Sequence, residues 1–377
     1  MRIVVDKYIP SVVQAFQQFG EVCALETAEI TTEAVHNAEI LIIRSETKVT
    51  KELLEGSAVR FVGSATIGTD HVDIEYLKSK SIEFASAPGS NANSVAEYVV
   101  AALLHLSQKK SFSLQGKSIG VVGIGNIGSI VVRYASALGM TVLQNDPPLA
   151  RETGNTNLLP LDSLMECDFI TLHVPLTKTG EDTTLHLFSQ ERISKMKKGT
   201  VLINTSRGPV VDGNALKRIL DTKHLDGAVL DVWENEPLID IGLLQKVDIG
   251  TPHIAGYSFD GKVTAVKMLY DDACRLFKQP IIWSPELNGT GSIQKSIIVE
   301  SIGHESEKNI YDVVRYCYDI ETDDVELRTM ASLPEDEHRS YFRRLRSEYR
   351  LRREFFNTSV VGSPDALVDT LCNIGFK

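Results

Sequence analysis

Short aliphatic runs alternate with segments of helical spacing through the first third of the chain. Arg2–Asp6, Ile40–Arg44 and Phe61–Ser64 are apolar and rich in β-branched residues, which is typical of buried parallel strands. Val12–Phe19 and Lys51–Glu55 carry apolar residues at helical intervals. Alternation of strand and helix predicts a parallel sheet with helices on both faces.

A long apolar helix and a second α/β unit are predicted next. The helix is expected over Val95–Ser107. Asn93 or Ser94 is its expected N-cap, because a short side-chain oxygen can accept from the free amides of the first turn. The second unit begins at Lys117, and its predicted strands are Ser118–Val122, Thr141–Gln144, Phe169–Leu172, Thr200–Asn204 and Gly227–Asp231.

The composition changes beyond Pro285, which indicates a further domain. Leu287–Gly291 is a polar, glycine-containing link, and Asp319–Glu326 is acidic. A basic run follows, and we interpret it as a solvated helix face in preference to a substrate contact, because long charge runs are usually exposed. The run contains Arg339, Arg343, Arg344, Arg346, Arg350, Arg352 and Arg353.

Length, charge and cysteine content narrow the class of protein. A chain of 377 residues exceeds what one core usually organises, so two or three domains are expected. The net charge of −11 disfavours nucleic acid as a partner. No apolar run is long enough to cross a bilayer, so no membrane partner is expected. Five scattered cysteines without a C-x-x-C pair favour free thiols in a reducing cytoplasm.

A strand, a glycine loop and a helix form a candidate dinucleotide site. The sequence from Ser118 continues as G-x-G-x-x-G at Gly123, Gly125 and Gly128. In this motif the first glycine makes the tight turn, the second lets the backbone approach the pyrophosphate, and the third allows the helix to pack on the strand. The helix N-terminus, with Asn126 and Ile127, then offers unpaired amides to the phosphates.

Asp146 is the candidate ribose ligand. It ends the next predicted strand and precedes two prolines. A carboxylate at this point accepts hydrogen bonds from the ribose hydroxyls and repels a phosphate, which predicts NAD instead of NADP. The alternative is an acid in a surface turn.

Three later segments place reactive side chains after predicted strands, where α/β sheets bind their ligands. Arg207 can hold a carboxylate with its planar guanidinium. His253 can accept the proton of a hydroxyl that is being oxidised. A carboxylate on the other ring nitrogen orients such a base, and we choose Glu236 for this role with Glu234 as the competitor. The other histidines show no metal-ligand spacing, and no metal is predicted.

These motifs resemble the D-isomer-specific 2-hydroxyacid dehydrogenases in order and spacing. The resemblance rests on Gly123–Gly128, Asn204–Val211, Asp231–Pro237 and Pro252–Tyr257, with Ser64–Asp73 and Asn93–Glu97 in addition, and covers roughly residues 1–286. It implies an NAD-dependent enzyme whose catalytic set is Arg207, Glu236 and His253. It also implies that Asp231 contacts the nicotinamide carboxamide, that Pro175 lies beside the nucleotide, and that Gly256 closes the cofactor site.

The fold implied is two doubly wound parallel-sheet domains, Rossmann- and flavodoxin-like, with a smaller α+β domain at the C-terminus. The expected substrate-binding domain is 1–92 with 257–286, the NAD-binding domain is 93–256, and the C-terminal domain is 287–377. The last domain resembles a module that serves homodimerisation in one branch of the family, whose substrate is a small phosphorylated 2-hydroxy acid.

That branch further implies substrate contacts by Ser45, Thr66 and Tyr257. Arg44, Lys262 or an arginine of the basic run could hold the phosphate, and the sequence leaves this choice open. A phosphoglycerate- or glyoxylate-type dehydrogenase is the alternative within the family. A non-catalytic NAD-sensing interaction protein is the alternative outside it, and it is disfavoured because all three catalytic positions are filled.

Overall fold

The structure is a computed structural model, and it describes residues 1–285, 295–300, 306–363 and 365–377. The described chain divides into two compact units. The first unit contains Met1–Asn91 and the chain from Tyr257 to 285. The second contains Ala92–Gly256 and the described residues from 295 onward, called here the C-terminal segment. The predicted link Leu287–Gly291 lies outside the described residues.

Thirteen strands are assigned in the described residues. Those of the first unit are β1 Arg2–Asp6, β2 Glu21–Leu25, β3 Ile40–Ile43, β4 Phe61–Ser64 and β5 Glu83–Ala85. Those of the second are β6 Ser118–Val122, β7 Thr141–Asn145, β8 Phe169–Leu172, β9 Val201–Asn204, β10 Gly227–Leu230, β11 Ile249–Gly250, β12 Lys295–Glu300 and β13 Thr358–Ser363.

Fifteen α-helices accompany them in the same residues. The first unit has α1 Val12–Phe16, α2 Thr32–Val35, α3 Lys51–Leu54, α4 Ile74–Ser79 and, after the chain returns, α11 Phe259–Phe277. The second has α5 Ala92–Lys110, α6 Asn126–Ala137, α7 Pro147–Thr153, α8 Gln190–Lys195, α9 Gly213–Asp221 and α10 Ile241–Leu244. The C-terminal segment has α12 Ser306–Cys317, α13 Ile320–Arg328, α14 Glu335–Ser347 and α15 Asp365–Asn373.

The sheet of the first unit is parallel, with strand order β2-β1-β3-β4-β5. Side chains alternate between its two faces, and both faces are buried. Ile3 and Val5 pack with Tyr270 of α11, whereas Val4 packs with Leu54 of α3. Burial of both faces explains why the central strands have continuous apolar sequences. The predicted doubly wound, flavodoxin-like class is confirmed here.

The second unit has a parallel sheet with strand order β11-β10-β9-β8-β6-β7. The chain order reverses at β6, which pairs with both β7 and β8. Ligands of doubly wound sheets bind outside the carboxyl ends of strands at such a reversal. β9, β10 and β11 extend the same carboxyl edge, so the loops after these strands lie along it.

The C-terminal segment packs onto the second unit through apolar side chains. Leu327, Met330 and Phe342 are fully buried in the same hydrophobic cluster as Trp233 and Leu244. Its own small sheet pairs β12 with β13 in parallel, and α12 to α15 accompany it. The small α+β arrangement expected from sequence is therefore present.

One local expectation is wrong, and two strands are not predicted. α5 begins at Ala92, three residues before the predicted start, so Asn93 and Ser94 lie inside the helix and do not cap it. Both side chains instead bond Glu354 of the C-terminal segment. The sequence does not predict the partly exposed edge strands β2 and β5, because they carry few β-branched residues: β2 has one, Val22, and β5 has none.

The interpretation of the arginine run as a solvated face is correct only for part of it. Arg339, Arg343 and Arg344 on α14 are exposed. Arg352 is 3% exposed and bonds residues of the second unit. A charge run read along the sequence does not reveal that its end leaves the helix and enters the interior.

No helix among the described residues is long and apolar enough to cross a membrane.

Candidate active site

The glycine loop joins β6 to α6 at the point where the sheet order reverses. Gly123 has a φ of +89°, and a Cβ there would lie 2.5 Å from the carbonyl oxygen of His173. A Cβ on Gly128 would lie 1.9 Å from the carbonyl oxygen of Gly123. Gly125 differs, because its Cβ would meet nothing within 4 Å. Two glycines therefore allow the turn and the packing, and the third leaves open space beside the loop.

These features fit NAD. The first amides of α6 follow Gly125, and an α-helix leaves such amides free to bind phosphate oxygens. Asn126 and Ile127 provide two of these amides. The open side of Gly125 is where a pyrophosphate needs close backbone approach. Pro175 follows β8 on the same edge, and its carbonyl accepts from Thr184 Oγ1 at 2.5 Å.

Asp146 follows β7 and has two structural partners. Its Oδ2 accepts from the amide of Ile124 in the glycine loop at 2.8 Å. Its Oδ1 caps α7 by accepting from the amide of Leu149 at 3.0 Å. Each carboxylate oxygen can accept a further hydrogen bond. Asp146 therefore caps α7, and its carboxylate also bonds the cofactor loop.

Arg207 lies just beyond β9 in a loop tightened by Asn204. The Oδ1 of Asn204 accepts from the amide and hydroxyl of Ser206, and its Nδ2 donates to the carbonyl of Arg207. A Cβ on Gly208 would lie 1.9 Å from the carbonyl oxygen of Trp233. Only glycine permits this approach, which brings the loop carrying Arg207 against the loop after β10.

Glu236 and His253 form a hydrogen-bonded pair. Glu236 Oε2 lies 2.8 Å from Nδ1 of His253, and Oε1 accepts from the amide of Trp233 at 2.8 Å. Burial raises the pKa of Glu236, but His253, the Trp233 amide and the charge of Arg346 outweigh it and leave the pKa below its ordinary value. An ionised Glu236 fixes the Nδ1–H tautomer of a neutral His253, so that Nε2 can accept a proton.

Glu234, the competing carboxylate, has other partners. Its Oε1 lies 2.8 Å from Nε2 of His186, and its Oε2 accepts from the amide of Gly213 at 2.8 Å. Spacing along the sequence could not decide between Glu234 and Glu236. The geometry pairs Glu236 with His253.

The loop that carries His253 is held by Asp231. His253 has a φ of +60°, a left-handed conformation that costs a non-glycine residue about 1–2 kcal/mol. Asp231 is 1% exposed and accepts from Thr251 Oγ1 at 2.6 Å and from the amides of Ile254 and Ala255 at 2.8 and 3.0 Å. These bonds surround His253 and hold the strained backbone. Gly256, half-buried, follows directly.

His173 is a residue that sequence reasoning did not select. Its Nε2 lies 2.9 Å from Thr171 Oγ1 and its Nδ1 lies 3.3 Å from Thr205 Oγ1. Burial lowers the pKa of His173 to about 3, so the ring is neutral. It joins the ends of β8 and β9 beneath the glycine loop. In the sequence, His173 directly follows the buried strand β8 and lies two residues before Pro175, and this position could have marked it as a candidate site residue.

The predicted substrate residues Ser45, Thr66 and Tyr257 belong to the first unit. Ser45 is exposed just after β3. Thr66 follows β4, and its Oγ1 lies 2.8 Å from the Oγ of Ser64, which in turn lies 3.0 Å from Nε2 of His71. Tyr257 precedes α11, and the Nζ of Lys262 lies 4.9 Å from the centre of its ring.

Two basic side chains of the first unit differ in how they are neutralised. Arg44 Nε lies 3.1 Å from Oδ2 of the fully buried Asp6, and Nη2 donates to Thr27 Oγ1 at 2.9 Å. Lys262 has no ion pair among the described residues. Burial, together with the charge of Arg44, lowers the pKa of the Lys262 ammonium. The charge of Glu46 opposes this lowering. Lys262 is therefore a partly buried cation beside Tyr257 that makes no direct ion pair with the described residues.

Comparison with known proteins identifies the family of the chain. Residues 92–255 match the model described as D-isomer specific 2-hydroxyacid dehydrogenase, NAD binding domain. Residues 295–375 match a domain of unknown function. An erythronate-4-phosphate dehydrogenase of Salinibacter ruber is 44% identical over 375 residues, which cover 96% of this chain and 94% of the relative. One from Hydrogenovibrio crunogenus is 38% identical over 387 residues, covering 100% and 98%.

Solved structures match a smaller share of the chain. D-Lactate dehydrogenase from Aquifex aeolicus, complexed with NAD and lactic acid, is 28% identical with a TM-score of 0.59, covering 74% of this chain and 96% of that one. NAD-bound 3-phosphoglycerate dehydrogenase from Entamoeba histolytica is 26% identical with a TM-score of 0.64, covering 74% and 95%.

Proposed function

The chain belongs to the D-isomer specific 2-hydroxyacid dehydrogenases, and we propose that it oxidises 4-phospho-D-erythronate to 2-oxo-3-hydroxy-4-phosphobutanoate. It is an NAD-dependent dehydrogenase. The observation that carries the chemistry is the Glu236–His253 pair on the sheet edge that also bears Arg207 and the glycine loop. The substrate is proposed from full-length relatives named for it.

Proton removal falls to His253. Its Nδ1 is engaged by Glu236, so Nε2 takes the proton of the carbon-2 hydroxyl and Glu236 stabilises the imidazolium that forms. When bound, NAD supplies the acceptor for the hydride that leaves carbon 2. As hydride and proton depart, the C–O bond becomes a carbonyl. Arg207 holds the adjacent carboxylate and polarises the new oxo group through its guanidinium.

Substrate contacts are proposed for the first unit. Ser45, Thr66 and Tyr257 provide hydroxyl groups that can bond the polyol and phosphate oxygens. Lys262 is the proposed phosphate ligand, because its charge has no ion-pair partner among the described residues whereas Arg44 is paired with Asp6. The negative charge of a bound phosphate would favour the charged ammonium and so oppose the lowering of its pKa.

The proposal also covers the domain bounds of the chain, its assembly and its pathway. The domains are 1–92 with 257–286 for substrate, 93–256 for NAD, and 287–377 for assembly of a homodimer. The enzyme would act in the cytoplasm, in pyridoxal 5′-phosphate biosynthesis. Cross-linking and light scattering of the full chain test the dimer, and a monomer at micromolar concentration would overturn it.

The activity is tested by following NAD reduction with the purified protein. 4-Phospho-D-erythronate is compared with 3-phosphoglycerate, glycerate and lactate, and a 2-oxo acid is added to recycle bound cofactor. The highest kcat/KM is expected for the four-carbon phosphate. Preference for 3-phosphoglycerate or glycerate would favour the alternative enzymes of the family, and no turnover with any acid would contradict the catalytic proposal.

A further inference from the structure

We propose that the C-terminal segment is part of the catalytic apparatus, with Arg352 as a positioning residue for His253. This inference rests on the proposed role of His253. It assigns a task to a region whose family match is a domain of unknown function. The argument comes from where the segment bonds the loop that carries the catalytic base.

His253 lies on a short span between Gly250 and Ala255, and the C-terminal segment binds both ends. At one end, Asp324 Oδ1 accepts from the amide of Gly250 at 2.7 Å. At the other, Arg352 Nη1 donates to the carbonyl of Ala255 at 3.1 Å. The amide of Ala255 is already bonded to Asp231, so Arg352 holds the far side of the same residue.

The guanidinium of Arg352 is itself fixed on several sides. Nη2 donates to the carbonyl of Ser94 at 2.7 Å and lies 3.7 Å from Oε2 of Glu97. The guanidinium lies over the ring of Tyr318 at 3.7 Å from its centre. Arginine and glutamate are both almost fully buried. A buried charged pair of this kind contributes little net stability. Nη1 and Nη2 each donate to a backbone carbonyl, which fixes the orientation of the guanidinium, whereas Nε is buried without a hydrogen-bond partner among the described residues.

A second group of bonds locks this arrangement to α5 and α6. Glu97 Oε1 accepts from the amide of Phe355 at 2.7 Å and from Asn93 Nδ2 at 2.8 Å. Glu354 Oε1 accepts from Ser94 Oγ at 2.6 Å. The hydroxyl of Tyr134 on α6 donates to Asn93 Oδ1 at 2.6 Å. The segment 352–355 is therefore bound directly to α5 and to the His253 loop, and it is linked to α6, the helix that follows the glycine loop, through Asn93 of α5.

The left-handed backbone of His253 explains why such support is needed. A strained non-glycine residue persists only where its surroundings determine its conformation. Asp231 holds the loop from within the sheet, and Asp324 and Arg352 hold it from outside. Without the outer bonds, the loop can relax and move the imidazole relative to Glu236 and the substrate.

The test compares Arg352→Gln with Arg352→Lys and with the matched control Arg350→Gln. Arg350 lies two residues away and bonds Asp323 and the carbonyl of Asp319, which both lie within the C-terminal segment. Arg352→Gln is expected to lower kcat by about ten- to a hundred-fold, because small misplacement of a catalytic group has effects of that size. Its KM and NAD affinity should change much less. Arg352→Lys, which keeps the charge but has a single donor nitrogen, should recover part of kcat.

Hydrogen–deuterium exchange gives a readout that does not depend on turnover. In folded Arg352→Gln the amides of Ile254 and Ala255 should exchange faster than in the wild type, whereas Arg350→Gln should leave them unchanged. Equal loss of kcat in both arginine variants, or unchanged exchange at these amides in Arg352→Gln, would overturn the inference. Kinetics of all variants are measured with the acid that the wild type oxidises best. If the proposed substrate is wrong, the wild type will prefer another acid, and the comparison between wild type and variants remains valid. If the wild type oxidises none of them, exchange still decides the positioning of the loop.

Discussion

Glu236 Oε2 and His253 Nδ1 lie 2.8 Å apart on adjacent loops, and the Trp233 amide fixes the other carboxylate oxygen. We predict that Glu236→Gln lowers kcat by about a hundred- to ten-thousand-fold, the usual range for loss of acid–base function. The amide can still accept from Nδ1–H, but it cannot stabilise an imidazolium by charge. Steady-state NAD reduction measures the effect.

Glu234→Gln is the matched control for that variant. Glu234 pairs with His186 and the amide of Gly213, so its loss should change kcat only a few-fold. A larger kcat loss in Glu234→Gln than in Glu236→Gln would reverse the assignment of the carboxylate partner.

Asp231 supports the strained His253 loop through three hydrogen bonds. In Asp231→Asn one accepting oxygen becomes a donor, so at least one buried donor loses its partner. The free energy of unfolding should fall by about 1–3 kcal/mol. Urea unfolding measures this loss, and kcat should fall with it because the loop relaxes. Asp212→Asn is the control, since Asp212 caps α9 and asparagine caps equally well. Unchanged stability with only a higher KM for NAD would restrict Asp231 to a cofactor contact.

Part of this architecture could be predicted from the sequence because it depends on local signals. Central strands such as Phe61–Ser64 and Ser118–Val122 are buried on both faces, and their continuous apolar sequences reveal them. Gly123 and Gly128 could be recognised because turn and packing each require a missing Cβ. Long-range bonds have no such signal. Nothing near Arg352 in the sequence reveals that it binds Ala255, ninety-seven positions away.

Gly125 offers a test of the cofactor loop that separates binding from folding. Its Cβ would meet nothing within 4 Å, so Gly125→Ala should change the free energy of unfolding by no more than about 0.5 kcal/mol. The added methyl group would crowd the pyrophosphate at about 1–3 kcal/mol, which weakens NAD binding roughly ten- to a hundred-fold. Fluorescence titration with NADH measures the affinity.

Gly128→Ala is the comparison variant. Its Cβ would lie 1.9 Å from the carbonyl oxygen of Gly123, so this variant should lose stability instead. Full NAD affinity in Gly125→Ala would contradict the proposed approach of the pyrophosphate.

Lys262 should determine selectivity for the phosphorylated substrate. Hydrogen bonds to charged groups contribute about 1.5–3 kcal/mol, so Lys262→Met should raise KM for 4-phospho-D-erythronate by roughly ten- to a hundred-fold while leaving KM for unphosphorylated erythronate nearly unchanged. The control is Lys267→Met on the same helix, because Lys267 is paired with Asp271.

The pH dependence of phosphate binding follows from the lowered pKa of Lys262. Phosphate binding requires the protonated ammonium, so kcat/KM for the phosphorylated acid should fall as pH rises through that pKa, below the range where an ordinary lysine titrates. Lys262→Met should abolish this fall, and the unphosphorylated acid should not show it. Equal changes of KM for both acids would refute the assignment and return the choice to Arg44 or the C-terminal arginines.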